Sequence, residues 1–264
     1  MNGIDYIASI LKRENVEWIS CFPSNPIISA CAKVNIRPIA FRHERGAVMA
    51  ADGYSRISMR KKFGVVAVQS QAGAENGMGG IAQAAADNIP ILILLGGNSL
   101  NQISVKPNFS AVQKYQGWVK QVEAIYSPTQ VGAVMRRAFN ALKNGPPGPV
   151  VVEMTTDVCQ QNVPEEYQNY KSPSYSLQVP DTNEIARTIE LWQKARKPVI
   201  WAGGGVLASS GSITLKELAE LTATPVFCTM PGKSSFDERH PLALGAGCGT
   251  CLLYTSDAAD DAGS

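Results

Sequence analysis

Short, almost uninterrupted apolar segments alternate with helical segments along the first 160 residues, and this alternation restricts the possible folds. Three of these segments are GVVAVQS at 64–70, IPILILLGG at 89–97 and GPVVVEMTT at 148–156. A strand with one face in water alternates apolar and polar residues, whereas a continuous apolar run indicates a strand buried on both faces. With helices between the strands, the pattern predicts the α/β class with a doubly wound parallel sheet.

Composition and charge exclude several classes of protein. The 264 residues are 45% hydrophobic and 17% charged, with a net charge of +2, which does not favour a nucleic-acid partner. The longest apolar run, IPILILL at 89–95, is shorter than the roughly 20 residues of a membrane-spanning helix, so we expect no membrane partner. The N-terminus lacks a signal-peptide pattern, which predicts a cytoplasmic location with the six cysteines reduced.

The composition and the hydrophobic pattern of the sequence change at about residue 160, and this change predicts four regions. Residues 1–160 form the first domain, and the polar, proline-containing residues 161–183 form a linker. Residues 184–247 begin an incomplete second α/β domain with room for two or three strands. The tail at 248–264 continues neither the strand-helix rhythm nor the composition of the rest, and it contains the pair CGTC.

A carboxylate at the start of a predicted helix marks the first candidate site. Glu44 opens the helix in FRHERGAVMAADGYSR at 41–56, where an acidic group could simply stabilise the helix start. The turn QSQAGAENG at 69–77 follows the next strand, with Gly73 allowing close backbone approach and Asn76 offering an amide. Both segments come just after the carboxyl ends of strands that we predict to be neighbours, and parallel sheets bind ligands at that edge. The residues alone therefore predict a small-molecule site.

A glycine turn offers an alternative function. The turn after the strand at 198–202 has the G-x-G-x-x-A spacing of dinucleotide-binding loops at Gly203, Gly205 and Ala208. The same spacing recurs at Gly77, Gly79 and Ala82, so the pattern has little specificity. A flavin or nicotinamide oxidoreductase that uses the Gly203–Gly205 turn is the alternative that this motif leaves open.

Three ordered motifs carry a resemblance to a known family. They are HERGAVMAADGYSR at 43–56, SQAGAENGMGGIAQAAADNIPILILLGG at 70–97 and AFNALKNGPPGPVVVEMTTDV at 138–158. Together they resemble the N-terminal, pyrimidine-binding domain of thiamine-diphosphate-dependent enzymes of the acetolactate synthase and pyruvate oxidase type. Residues 184–247 resemble the start of that family's middle domain.

The resemblance implies a cofactor, a substrate class and site residues. A glutamate at the position of Glu44 hydrogen-bonds a ring nitrogen of the cofactor's aminopyrimidine and favours its imino tautomer, which activates the cofactor. Thiamine diphosphate is therefore the implied cofactor, a 2-oxo acid the implied substrate and Glu44 the catalytic residue. The implied cofactor-binding residues lie in the loop after the first strand and in the turn that lines the pyrimidine: Pro23, Ser24, Gln69, Ala72, Gly73 and Asn76.

The family also implies partners for the full-length protein. Its third domain carries a Gly-Asp-Gly…Asn site for Mg²⁺ and diphosphate, and some members hold FAD in the middle domain. Its active site lies between subunits, so the resemblance implies a homodimer or homotetramer. This chain itself is expected to contribute no metal ligands.

Several departures from the family pattern limit what the resemblance implies. The first loop reads CFPSNP at 21–26 instead of a glycine-rich form, Ala72 stands where proline is usual, and Ser110 stands where glutamine is frequent. Because these loops shape the substrate side, another decarboxylase, lyase or oxidase fits as well as an acetolactate synthase. The resemblance stops after residue 247, so we expect an inactive N-terminal fragment with a foreign or frame-shifted tail. A non-catalytic cofactor-binding or regulatory module of the same fold is a further alternative.

Overall fold

The computed structural model describes residues 1–247 except 24, 60, 104, 108, 177 and 178. The chain divides into two compact units, residues 1–176 and residues 177–264, and each is described by itself. The predictions for the tail at 248–264, including the CGTC pair, lie outside the described residues.

The first unit is built on a parallel sheet. Its strands are β1 (Trp18–Cys21), β2 (Arg37–Ala40), β3 (Gly64–Val68), β4 (Ile91–Gly97), β5 (Gln121–Ile125) and β6 (Val150–Thr155). Its helices are α1 (Gly3–Arg13), α2 (Ile27–Lys33), α3 (Glu44–Ile57), α4 (Ala72–Ala86), α5 (Ala111–Tyr115), α6 (Val131–Lys143) and α7 (Thr156–Gln160). The strand order is β2-β1-β3-β4-β6-β5, with every neighbouring pair parallel. The predicted doubly wound parallel α/β fold is confirmed.

Burial on both faces explains the continuous apolar runs. Within β4, Leu92 and Leu94 belong to one core cluster, whereas Ile91, Ile93 and Leu95 belong to the other. The first cluster is completed by α1, α2, α6 and α7, and the second by α3, α4 and α5. Because successive side chains of a strand point to opposite faces, a layer of helices on each side requires an apolar residue at every position.

The edge strand β5 and the short helix α5 are elements that the sequence did not predict. β5 pairs with β6 alone among the described strands, and most of its residues are only half-buried. It carries Glu123, whose Oε2 accepts a hydrogen bond from Arg137 of α6 at 2.7 Å. An edge strand with charged residues lacks the apolar run by which the central strands were predicted.

Residues 163–176, all within the predicted linker at 161–183, pack onto the first unit and are called the clasp segment below. A buried ion pair joins Lys143 Nζ to Glu14 Oε2 at 2.7 Å, and the hydroxyl of Tyr170 donates to Glu14 Oε1. Lys143 also donates to Ser172 Oγ at 2.9 Å and to the carbonyl of Pro173 at 3.0 Å. The clasp segment is thus tied to Glu14, directly after α1, and to Lys143 of α6 by polar contacts.

The described part of the second unit is smaller and less covered. It contains α8 (Thr182–Lys194), β7 (Ile200–Ala202), α9 (Gly204–Ala208), α10 (Ser212–Thr222), β8 (Val226–Thr229) and β9 (Ala243–Gly247). The three strands form a parallel sheet in the order β7-β8-β9. Its core cluster consists of Ala202, Leu215, Ala219, Val226, Cys228 and Phe236. No residue of α8 is buried.

Two expectations about the whole chain can be compared with the structure. Cys21, Cys31, Cys159 and Cys228 are free and buried, as the sequence predicted for these four. The helices of the described residues include none with the length and apolar character that crossing a membrane would need.

Candidate functional site

The direction of winding reverses beside β1, and the candidate site lies at that reversal. From β1 the chain crosses to β2 on one side, and it then returns to β3 and β4 on the other side. The loops after β1 and β3 therefore leave the sheet in different directions. In open α/β sheets such a switch point at the carboxyl ends of the strands is where ligands bind.

Glu44 is the buried acid of this site. It is the first residue of α3, and only 4% of its surface is exposed. Its Oε2 accepts a hydrogen bond from Asn76 Nδ2 on α4 at 3.2 Å, and no described residue forms an ion pair with it. A buried carboxylate without a cation is costly unless donors satisfy it, so this arrangement suits a ligand that brings a further donor.

Glycines of α4, rather than those of α3, allow the close approach around Glu44. A Cβ on Gly73 would lie 2.4 Å from Gln69 Cγ and 3.4 Å from Glu44 Oε1. A Cβ on Gly80 would lie 2.9 Å from Cγ1 of Val48 on α3. On α3, a Cβ on Gly53 would meet nothing within 4 Å, whereas Ala47 and Ala51 are fully buried. The space for the close contacts at Gly73 and Gly80 therefore comes from α4.

The structure brings together some of the predicted site residues. Gln69, Gly73, Asn76 and Glu44 converge where β3 ends and where α3 and α4 begin. Ala72 is the exposed first residue of α4. The predicted residues of the first loop are taken up next.

Pro23 and Ser24 belong to the loop after β1. Pro23 is exposed and lines a cavity of about 420 Å³ beside β1 and β2, whose lining does not include Glu44. Ser24 lies outside the described residues. This cavity therefore does not join Pro23 to Glu44.

Asn25 is a buried residue of the same loop that the sequence interpretation missed. It is 5% exposed, its Nδ2 donates to the carbonyl of Val68 at 2.9 Å, and its Oδ1 accepts from the N–H of Ile27 at 3.1 Å. It thereby ties the loop after β1 to the end of β3, across the switch point. The signal in the sequence was the residue type, since asparagine side chains in turns bond to backbone groups two positions on.

The residue before α4 has an unusual backbone. Gln71 has φ 52° and ψ −116°, a conformation that side-chain-bearing residues rarely adopt. It immediately precedes Ala72 and Gly73, so the strain lies at the edge of the candidate site. Strained backbone persists where the surrounding structure enforces it, and such positions cluster at functional sites.

The glycine turn of the second unit gives little support to a dinucleotide site. Gly203 follows β7 and precedes a helix, as the motif requires, but α9 has only five residues. The motif holds pyrophosphate at the N-terminus of a longer crossover helix. A Cβ on Gly205 would meet nothing within 4 Å, so packing does not require glycine at that position.

The described residues contain no group of three or more histidine, cysteine, aspartate or glutamate side chains that could hold a metal ion.

Comparison with family models matches two domains of one family. Residues 1–124 match the model described as "Thiamine pyrophosphate enzyme, N-terminal TPP binding domain". Residues 185–262 match the model of the central domain of the same enzymes. The second match continues past residue 247, where the motifs had ended.

Curated relatives with the same name come from distant organisms. The chain is 33% identical over 262 residues to the "Probable acetolactate synthase large subunit" of Methanococcus aeolicus, covering 93% of this chain and 42% of that protein. The corresponding protein of Methanocaldococcus jannaschii is 32% identical, with 93% and 43% covered. Isozyme 3 of the acetolactate synthase large subunit of Escherichia coli is 29% identical, with 93% and 44% covered. The chain thus spans less than half the length of these relatives.

A solved structure has the same fold. The structure described as "X-ray structure of a putative thiamin diphosphate-dependent enzyme isolated from Mycobacterium smegmatis" superposes with a TM-score of 0.83 at 23% identity. The match covers 93% of this chain and 48% of that one. With the N-terminal and central domain models both matched in order, the resemblance read from the motifs is confirmed, and the chain belongs to the thiamine pyrophosphate enzyme family.

Proposed function

We propose that this chain provides the pyrimidine-binding half of a thiamine diphosphate site in an enzyme that acts on 2-oxo acids. The observation that carries the proposal is the buried Glu44 carboxylate, which faces the turn after β3 and is held by the Asn76 amide. The match to the family's N-terminal domain supports the choice of cofactor.

The residues around Glu44 fit an aminopyrimidine ring. A Cβ on Gly73 would lie 2.4 Å from Gln69 Cγ and 3.4 Å from Glu44 Oε1, so glycine lets the backbone of α4 come close to the carboxylate. The edge of a flat ring that carries N–H donors matches a carboxylate acceptor bordered by such a small residue. Among the described residues, Asn76 donates the hydrogen bond to this carboxylate, and a bound ring would add a second donor.

In this proposal Glu44 orients the pyrimidine and holds a proton at its ring nitrogen. Asn76 keeps the carboxylate in place, and the N-terminus of α3 favours its negative charge. When bound, thiamine diphosphate supplies the nucleophilic carbon and the electron sink for decarboxylation or carboligation. A decayed or regulatory module has no physical reason to keep a buried acid here, which argues against a non-catalytic role.

The relatives named acetolactate synthase support a carboligase acting on 2-oxo acids. We further propose that Mg²⁺ and the diphosphate are bound by groups other than the described residues, and that the active enzyme is a homodimer or homotetramer. Under this proposal the isolated 264-residue chain releases no CO₂ from pyruvate. FAD in the central domain stays a prediction.

Replacement of Glu44 tests the proposal directly. Glu44→Gln keeps the size of the side chain but removes the charge. A hydrogen bond to a charged group is worth about 1.5–3 kcal/mol, so the variant should bind thiamine diphosphate at least about tenfold more weakly. Calorimetric titration of the chain measures the affinity. The control is Glu75→Gln, an exposed acid of α4 that pairs with Lys114 Nζ at 3.1 Å. Equal affinity of the wild type and the Glu44 variant would refute the role of Glu44.

A further inference from the structure

A second buried acid of the first unit takes no part in the proposed chemistry. Glu153 of β6 is 5% exposed, and its Oε2 accepts a hydrogen bond from the N–H of Ala111 at 2.8 Å. Burial raises the pKa of this carboxyl, while the N–H groups of Ala111 and Val112 oppose the rise. This carboxylate ties the first turn of α5, whose N-cap is Ser110, to β6.

Glu153 is itself fixed in position by the neighbouring strand. A Cβ on Gly97, at the end of β4, would lie 2.9 Å from Glu153 Cγ and 3.1 Å from its Oε1. The side chain therefore lies across the carboxyl end of β4 with little freedom. It joins the rigid centre of the sheet to α5.

The other end of α5 contacts α4. Tyr115, the last residue of α5, is fully buried, and its hydroxyl donates to the carbonyl of Ala74 at 2.8 Å. The ring of Trp118 packs against it with 5.2 Å between ring centroids. A single phenol thus fixes the first turn of α4 relative to α5.

The first turn of α4 carries the partners of Glu44. Ala74 lies between Gly73, which borders Glu44 Oε1, and Asn76, whose amide holds Glu44 Oε2. The contacts therefore run without a gap from Glu153 through α5 and Tyr115 to the carboxylate of Glu44.

We propose that Tyr115 and Glu153 are positioning residues that set the distance between Asn76 and the Glu44 carboxylate. The inference rests on the proposed function for its consequence in catalysis, but the positioning itself does not depend on the cofactor. Shifts well below 1 Å in such pairs weaken catalysis and ligand binding, which is why supporting contacts are needed.

The experiment compares two buried tyrosines. Tyr115→Phe removes only the hydroxyl that bonds to Ala74, and Tyr6→Phe removes one that accepts from the N–H of Tyr170 at 3.0 Å in the other core cluster. Each variant loses one buried hydrogen bond, so both should lose similar global stability in denaturant unfolding. The comparison therefore separates positioning from general stabilisation.

Two local measurements decide the proposal. Amide hydrogen exchange of residues 73–77 should become about five- to tenfold faster in Tyr115→Phe, the factor expected for one lost hydrogen bond, and less than about twofold faster in Tyr6→Phe. Thiamine diphosphate should bind the chain more weakly by a similar factor in Tyr115→Phe alone. Exchange that is unchanged in Tyr115→Phe, or equally faster in both variants, overturns the proposal.

The same experiment distinguishes failure of the two proposals. If the wild-type chain binds no thiamine diphosphate but the contrast in exchange is present, the cofactor assignment fails and the positioning stands. If the cofactor binds and the contrast is absent, the positioning fails and the cofactor assignment stands. Glu153→Ala provides a second variant, because it removes the acceptor that holds α5. Like Tyr115→Phe, it should make amide exchange of residues 73–77 faster. Unchanged exchange of these residues overturns the role of Glu153.

Discussion

The two units use the same rhythm of strands and helices but bury their strands to different degrees. Every residue of β3 and β6 in the first unit is buried, whereas Trp201 of β7 in the second unit is 57% exposed. The first sheet has helices in both of its core clusters, while the described part of the second unit has one small cluster and a helix, α8, without any buried residue. An apolar strand sequence therefore specifies a strand, but only a second layer of helices completes its burial.

The largest effect on stability is expected when one leucine is replaced in each unit. Leu94→Ala in β4 empties a fully buried position and should lower the free energy of unfolding by about 2–5 kcal/mol. Leu221→Ala in α10, where the leucine is 85% exposed, should cost less than about 0.5 kcal/mol. Denaturant unfolding of both variants measures the difference. Similar losses would mean that a partner covers Leu221 in solution and that the contrast between the units disappears on assembly.

The two units also contain acids that respond to pH in opposite directions. Burial raises the pKa of Glu153 in the first unit, so the stability that this residue contributes is complete below its unfolded-state pKa and is lost as pH rises through its folded-state pKa. Arg239 lowers the pKa of Asp237 in the second unit to about 2, so its contribution is present above the unfolded value and is lost as pH falls towards 2.

Unfolding measured across pH for Glu153→Gln and Asp237→Asn checks both directions. Relative to Glu153→Gln, the wild type should lose stability above about pH 4, with a slope of at most about 1.4 kcal/mol per pH unit for one proton. Relative to Asp237→Asn, it should lose stability only on acidification below about pH 4. If the wild type instead became more stable relative to Glu153→Gln as pH rises, the raised pKa of Glu153 would be contradicted.

The smallest expected effect compares backbone strain in the two units. Gln71→Gly removes a side chain from a residue at φ 52° and ψ −116°, and it should stabilise the first unit by about 1 kcal/mol. Ala223→Gly acts on a residue at φ 49° and ψ 36° after α10, where the left-handed helical region is less costly, and it should gain under about 0.5 kcal/mol. Thermal unfolding ranks the two variants. Destabilisation by Gln71→Gly would show that the side chain of Gln71 makes contacts that outweigh its strain.

Much of the first unit could be predicted because its central strands show their burial in the sequence. The runs that became β3, β4 and β6 were located within a few residues of their observed ends, whereas β5 was missed because its polar residues belong to an edge. The position of Glu44 at the start of α3 also followed from the pattern.

The finer parts of the site depend on tertiary contacts that no local pattern encodes. Asn25 gave no signal that it would bond to the end of β3, 43 positions away, and Tyr115 gave none that it would reach Ala74. Nor did the sequence show that Gly80 of α4 would lie against Val48 of α3. A sequence shows which residues can approach closely, but not which residues they will meet.

The clasp segment determines where this protein can be joined to others. In a chimera that leaves the first unit at residue 160, Tyr170 would be lost, and Glu14 and Lys143 would lose the chain that now covers them. A junction after Ser176 keeps the ion pair sheltered and preserves the hydrogen bond from the N–H of Ser176 to Asn144 Oδ1 at 2.6 Å. The smallest piece that can be exchanged between relatives therefore extends some 16 residues past the last helix of the sheet domain.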